Sequence, residues 1–61
     1  MVTYYDYDGR PAKREGSKYT VMLEGGKERN VADLVGFMHE AYEVPRHVYD
    51  RLVDGMKKKT T

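Results

Sequence analysis

The stretch NVADLVGFMHEAY, residues Asn30–Tyr42, decides the fold because its apolar residues recur at helical spacing. One face of a helix would carry the residues spaced three and four positions apart, which are Val31, Leu34, Val35, Met38, Ala41 and Tyr42. Phe37 would lie at the edge of this stripe. Asn30 is expected to cap the helix, since its side-chain oxygen can accept a backbone N–H of the first turn. The stretch therefore predicts a helix over residues 31–42.

A second helix is predicted over residues 45–57. Pro45 suits the first turn of a new helix and disfavours continuation of the old one. A second apolar stripe follows at helical spacing: Val48, Tyr49, Leu52, Val53 and Met56. Lys57–Lys59 would complement the negative end of the helix dipole. Residues 57–61 are expected to form a frayed, lysine-rich tail.

The residues before the first helix carry strand and turn signals. Val2–Tyr7 is rich in Val, Thr and Tyr, which favour a pleated and half-buried surface. Lys18–Glu24 alternates apolar and polar residues, and Gly25-Gly26 marks a hairpin turn before a short strand at residues 27–30. Arg10–Ser17 is polar and is interpreted as a loop.

The order of these elements, strands first and helices second, is typical of α+β layering. The sequence therefore predicts a small antiparallel β-hairpin or meander at about residues 2–7, 18–24 and 27–30. We expect it to pack against a C-terminal helix pair, residues 31–42 and 45–57, in one domain spanning residues 1–61.

Length and composition limit how this fold is stabilised. A chain of 61 residues without cysteine has no disulfide or thiolate metal site to reinforce its small core. Small scaffolds often gain stability by oligomerisation, so self-association through Phe37 and neighbouring apolar residues is one hypothesis. No run of 18 apolar residues is present, and the first residues lack a secretory pattern. We expect a cytoplasmic protein without membrane contact.

The net charge of +1 conceals an uneven distribution. Residues 9–18 carry a net +3 and residues 55–61 another +3, so the remaining residues carry a net −5. Clustered cations attract phosphate groups or acidic partners. The basic residues that could contact a nucleic acid are Arg10, Lys13, Arg14, Lys18, Lys57, Lys58 and Lys59.

Metal-binding patterns are incomplete. Residues 4–15 have part of the spacing of a calcium loop, but Tyr4 stands where the first carboxylate is needed. His39 and Glu43 fall four apart, yet a zincin needs histidine at the second of these positions, and Pro45 interrupts the helical geometry before His47. We therefore expect no metal and no cofactor.

Catalytic motifs are incomplete as well. Gly25–Lys27 lacks both the upstream glycine and the following Ser or Thr of a phosphate-binding loop, so a hairpin turn explains it. Ser17 is the only serine, and no histidine is near it in the sequence. We expect no enzymatic activity.

The leading hypothesis is a non-catalytic regulatory or accessory protein that binds another macromolecule, most favourably a protein, by occlusion or bridging. Its expected contact residues are large aromatic or exposed polar side chains: Tyr5, Tyr7, Phe37, Arg46 and His47. Small single-domain proteins of this kind are common among phage and plasmid accessory factors.

The alternative hypothesis is a nucleic-acid-binding protein that uses the basic residues above. In this alternative the helix pair is a degenerate helix-turn-helix whose second helix presents Arg46 and His47 to the major groove. His39 and Glu43 depart from that motif, because small residues or glycine are expected at those positions.

Overall fold

The computed structural model describes residues 1–58 and confirms the α+β class. Its elements, in chain order, are β1 Val2–Tyr7, β2 Arg10–Glu15, β3 Lys18–Leu23, β4 Lys27–Asn30, α1 Leu34–Glu40, β5 Ala41–Val44 and α2 Arg46–Lys58. The five strands form one antiparallel sheet in the order β4-β3-β2-β1-β5. Most of the predicted lysine-rich tail, including Lys59, lies outside the described residues, whereas Lys57 and Lys58 end α2.

The predicted loop at Arg10–Ser17 is wrong, because most of it forms β2. Asp8 and Gly9 have φ values of 53° and 82°, and the Asp6 carboxylate accepts the Gly9 N–H at 2.8 Å. This tight turn returns the chain at once, so β2 pairs with β1 over its whole length. Pro11 is tolerated because the pairing of β2 with β3 reaches only as far as Ala12, so no β3 carbonyl needs its missing N–H.

The first helix is shorter than predicted at both ends. Asp33, not Asn30, is its N-cap: the Asp33 carboxylate accepts the Gly36 N–H at 3.0 Å. Asn30 is the last residue of β4. The helix stops at Glu40 because Ala41–Val44 pairs with β1 as a fifth strand.

The two helices cover opposite faces of the sheet. Residues directly opposite each other on antiparallel strands share a face, so the pairing register assigns Tyr5 and Ala12 to one face and Tyr4 and Lys13 to the other. Phe37 of α1 packs on the first, the α1 face. On the second, the α2 face, the ring of Tyr49 lies 4.6 Å from that of Tyr4.

The structure confirms a sheet packed against two C-terminal helices, but the helices lie on opposite faces and do not form a helix-turn-helix. Strand β5 lies between the two helices in the sequence. Because the sheet separates α1 from α2, they cannot form the joined pair that enters a major groove.

Phe37 is the centre of the core on the α1 face. Its side chain is completely buried, and its ring centre lies 5.3, 5.1 and 5.5 Å from those of Tyr5, Tyr7 and Tyr19. The buried Ala12 and Val21 complete this cluster. The prediction that Phe37 lies at the edge of the apolar stripe is therefore wrong.

On the α2 face, the predicted apolar stripe of the second helix does pack inward. Met56 is buried, and Val48, Tyr49, Leu52 and Val53 are half-buried. Met22 of β3 is buried as well. The Met56 carbonyl accepts the Gly25 N–H at 3.3 Å, which ties the end of α2 to the turn between β3 and β4.

Candidate functional site

The helix α1 turns most of its apolar side chains outward. Leu34, Val35 and Met38 are 46%, 70% and 61% exposed, and Tyr42 of β5 is 61% exposed. Among residues 1–58 the other exposed large apolar side chains are those of Met1 and Val2, at the start of the chain. We call the exposed α1 residues Leu34, Val35 and Met38, together with the open edge of β5, the α1–β5 surface; Tyr42 pairs with Asp6 and lies on the other face of the sheet. Concentrated apolar exposure of this kind marks interaction sites more often than scattered apolar residues do.

The short length of α1 explains this exposure. The helix has seven residues, about two turns, and the paired strands β4 and β5 fix its position at both ends. Within α1 only Phe37 is buried, and three tyrosine rings surround it. Val35 and Met38 consequently face away from the sheet, although the spacing assigned them to the core.

Strand β5 adds an open sheet edge to this surface. It pairs with β1 on one side, and no described strand pairs with its other side. The helix α1 leads directly into β5, while its buried Phe37 packs over β1, β2 and β3. An unpaired edge offers backbone N–H and C=O groups to another chain. The α1–β5 surface therefore combines apolar side chains with free backbone groups.

The predicted protein-contact residues are divided by the fold. Tyr5 and Tyr7 are half-buried against Phe37, which is itself inaccessible, so Phe37 cannot contact a partner in this structure. Arg46 and His47 are exposed at the start of α2, on the other side of the sheet. The Arg46 guanidinium lies 3.9 Å from the Asp50 carboxylate. The structure therefore does not bring these five residues together.

The predicted nucleic-acid contacts are divided as well. The register assigns Arg10 and Arg14 to the α1 face, and the Arg14 guanidinium lies 5.5 Å from the centre of the Tyr19 ring. Lys13 is on the α2 face. Lys18 borders the turn after β2, and Lys57 and Lys58 end α2. Lys59 lies outside the described residues.

Lys13 is already engaged within the chain. Its ammonium lies 3.4 Å from the Glu15 carboxylate and 3.7 Å from that of Glu28. Partial burial lowers the pKa of Lys13, but Glu28 and Glu15 outweigh this effect and leave the pKa raised. This lysine would have to break two ion pairs to bind a phosphate.

An open hollow of about 450 Å³ lies beside Tyr42 and is lined by Asp6, Asp8, Gly9, Glu40 and Tyr42. The Tyr42 hydroxyl donates to the Asp6 carboxylate at 3.0 Å, and this bond raises the pKa of Tyr42. In the described part of the chain, no three His, Asp or Glu side chains converge to hold a metal ion.

A second hollow, of about 380 Å³, adjoins the α1–β5 surface at Leu34. Its lining combines polar and apolar residues: Ser17, Lys18, Tyr19, Asn30, Val31 and Leu34. Neither His39 nor His47 lines either hollow. Ser17, the only serine, therefore has no histidine beside it in this hollow. In residues 1–58 no helix has the length and apolarity needed to cross a membrane.

Few features of the sequence indicated this surface. Helical spacing correctly grouped Leu34, Val35 and Met38 on one side of α1, but it could not say which side meets the sheet. A usable signal was the tyrosine content of the strands, because aromatic side chains bury large areas and pair favourably with another aromatic ring such as that of Phe37.

No family model, no curated protein and no solved structure matches this chain.

Proposed function

We propose that this chain is a non-catalytic regulatory or accessory protein that binds another protein through its α1–β5 surface. One observation carries the proposal. Three neighbouring apolar side chains are exposed on the outer side of α1, and β5, the strand that follows α1, has no second partner strand within residues 1–58. Covering these side chains would remove apolar area from water, which stabilises a complex by roughly 25 cal/mol per Å² of apolar surface buried.

The surroundings of the surface favour a protein over a nucleic acid. Asp33, Glu40 and Glu43 border the apolar residues and would repel phosphates. The cations that could contact phosphates are distributed over both faces of the sheet, and Lys13 is held by two carboxylates. An apolar centre with a polar rim is the usual anatomy of a protein–protein contact.

The mode of action would be occlusion or bridging. The second hollow adjoins the surface at Leu34 and could receive a side chain of the partner, which would extend the contact beyond the helix. The chain contains no cysteine and so needs no oxidising compartment to form disulfides, which is compatible with action in the cytoplasm.

The proposal is tested by comparing which host proteins the wild-type chain and two matched variants capture. Val35→Asp with Met38→Asp places carboxylates in the surface, whereas Val2→Asp introduces one at an exposed valine outside it. Nuclease treatment of the lysate separates protein partners from nucleic acids. We expect a nuclease-resistant partner that wild type and Val2→Asp capture and the double variant loses. Equal capture by all three chains, or capture that nuclease abolishes, would overturn the proposal.

A further inference from the structure

We infer that the partner of the α1–β5 surface is an acidic segment of another protein, with apolar residues at its centre and carboxylates that lie over β2 and β4. This inference rests on the proposed function, since it names the chemistry of the partner at the same surface. It follows from how the fold divides charged residues between the two faces of the sheet and from where the cations lie relative to α1.

The α1 face of the sheet carries an excess of cations. Residues opposite each other on paired strands share a face, so the register assigns every charged strand residue to one side. Four cations and one carboxylate fall on the α1 face: Arg10, Arg14, Lys27, Arg29 and Glu43. Two cations and three carboxylates fall on the α2 face: Lys13, Lys18, Asp6, Glu15 and Glu28. The strands therefore give the α1 face a net charge of +3 and the α2 face a net charge of −1.

The three arginines of the α1 face border the base of α1. Each arginine is opposite a strand residue that packs in the core cluster around Phe37. The opposed pairs are Arg10 with Tyr7, Arg14 with Tyr19, and Arg29 with Val21. The outer side of the helix above this cluster is apolar and exposed. A partner that covers the outer side of α1 therefore meets the arginines at the margin of the contact.

Most of these cations have no partner within the chain. Arg10, Lys27 and Arg29 are exposed, and they form no ion pair within residues 1–58. Lys13 on the α2 face, by contrast, lies 3.4 and 3.7 Å from two carboxylates. Carboxylates of another protein can therefore bind the cations of the α1 face without breaking an existing ion pair.

The carboxylates on the α1 side of the sheet are separated from the arginines. Glu43 lies on β5, at the opposite edge of the sheet from β4, and Glu40 ends α1 immediately before β5. The Asp33 carboxylate is already engaged as the cap of α1. Charge on this side thus changes from negative at β5 to positive over β2 and β4. Because complementary charges set the register of a complex, the acidic residues of the partner should lie over β2 and β4.

The size of a stable contact brings these cations into it. Specific protein interfaces involve about 20–30 residues on each side, so the three apolar side chains of α1 can form only the centre of one. A polypeptide can place apolar side chains on this centre and carboxylates on the surrounding arginines, which gives the usual apolar core and polar rim. A nucleic acid would instead bring a continuous line of phosphates across the apolar centre and toward Glu40 and Glu43.

Two synthetic peptides test the chemistry of the partner. Both have about 16 residues, with leucine at the spacing of one helical face. The remaining positions are glutamate and glutamine in the acidic peptide, and lysine and glutamine in the basic one. In titrations followed by NMR of the labelled chain, we expect the acidic peptide to shift the signals of Val35, Met38 and Arg29, more weakly at higher salt. A wild-type chain that binds neither peptide, or binds the basic one as tightly, would overturn the inference.

Charge reversal on the two faces provides a matched pair of variants. Arg29 and Arg51 are both exposed and form no ion pair within residues 1–58, but Arg51 lies on α2, on the other side of the sheet. Arg29→Glu should weaken binding of the acidic peptide by about tenfold or more, because repulsion replaces attraction, whereas Arg51→Glu should change it less than about twofold. Equal losses in the two variants would contradict the position of the contact.

A reversal of preference checks that the altered chain is still folded. Arg10→Glu with Arg29→Glu should bind the basic peptide more tightly than the acidic one, which an unfolded chain would not do selectively. A single-stranded DNA of the same net charge as the acidic peptide is the third probe. Tighter binding of this DNA than of the acidic peptide, lost in Arg29→Glu, would assign the cations to phosphates and overturn the acidic protein segment.

The two proposals can fail separately. If Val35→Asp with Met38→Asp loses a captured host protein that Arg29→Glu retains, the surface is a protein-binding site but its partner is not acidic. If neither capture nor binding of the acidic peptide depends on Val35 and Met38, both proposals are wrong.

Discussion

Replacing Phe37 by alanine should remove most of the stability of this domain. The side chain is completely buried and contacts three tyrosine rings. Truncating a buried phenylalanine to alanine costs about 3–5 kcal/mol, whereas a core of this size supplies only about 3–5 kcal/mol in total. The Phe37→Ala chain should therefore be largely unfolded at room temperature. Phe37→Leu keeps most of the volume and should remain measurable, with a cost of about 1.5 kcal/mol.

The matched controls are Val35→Ala and Met38→Ala in the same helix. Both side chains are more than half exposed, so each substitution should change the free energy of unfolding by less than about 0.5 kcal/mol. Urea unfolding followed by circular dichroism measures all four variants. A Met38→Ala chain less stable than Phe37→Leu would refute the orientation of α1, because it would place Met38 in the core.

Three further expectations concern caps, glycines and alkaline pH. Asp33→Ala should destabilise the domain by about 1 kcal/mol through loss of the α1 cap, as thermal unfolding would show. A Cβ added at Gly55 would meet open space, so Gly55→Ala should stabilise α2 by up to about 1 kcal/mol. Gly36→Ala should gain nothing, because its new Cβ would lie 2.6 Å from the capping carboxylate of Asp33. A gain at Gly36 equal to that at Gly55 would contradict this cap. Burial raises the pKa of Tyr49 in the folded chain. The pKa of Lys13 is raised as well, because Glu28 and Glu15 outweigh the effect of its partial burial. Both groups stabilise the fold below their unfolded pKa values and lose this contribution as pH rises through the folded ones, so stability should fall above about pH 10. Tyr49→Phe should flatten that fall in unfolding experiments across alkaline pH, and an unchanged pH profile would contradict the assignment.

The sequence predicts much of this fold because several signals are local. The alternation in Lys18–Leu23 and the glycine pair after it correctly give a strand and a turn. Pro45 correctly separates the last helix from what precedes it, and the α2 stripe packs inward as its spacing predicts. These features depend on neighbours within a few residues, which the sequence displays directly.

Other features depend on pairing between distant residues. Arg10–Glu15 is too polar for its composition to favour a strand, but the Asp8-Gly9 turn aligns it with β1. Ala41 and Tyr42 continue the helical spacing of α1, yet pairing with β1 makes Ala41–Val44 a strand. Tertiary pairing overrides local propensity in both segments, and local spacing carries no information about it.

The site was less predictable than the fold for the same reason. Two sides of α1 could face the sheet: the one with Phe37, or the one with Val35 and Met38. The three tyrosines decide between them, because they enclose Phe37. That enclosure exists only after β1 and β3 are placed around β2. The predicted interface included Phe37 and not its exposed neighbours, because helical spacing groups apolar residues on one side of a helix but does not say whether that side faces the sheet.

The four methionines allow the central claim to be measured in one experiment. Met22 and Met56 are buried, whereas Met38 and Met1 are exposed in the single chain. With methyl-labelled methionine and a soluble paramagnetic probe, the dilute chain should show strong broadening of the Met38 and Met1 signals and little of the other two. When a partner that the wild-type chain captures is added, Met38 alone should become protected. A Met38 signal as well protected in the free chain as that of Met56, or one that stays broadened when the captured partner is added, would contradict the account.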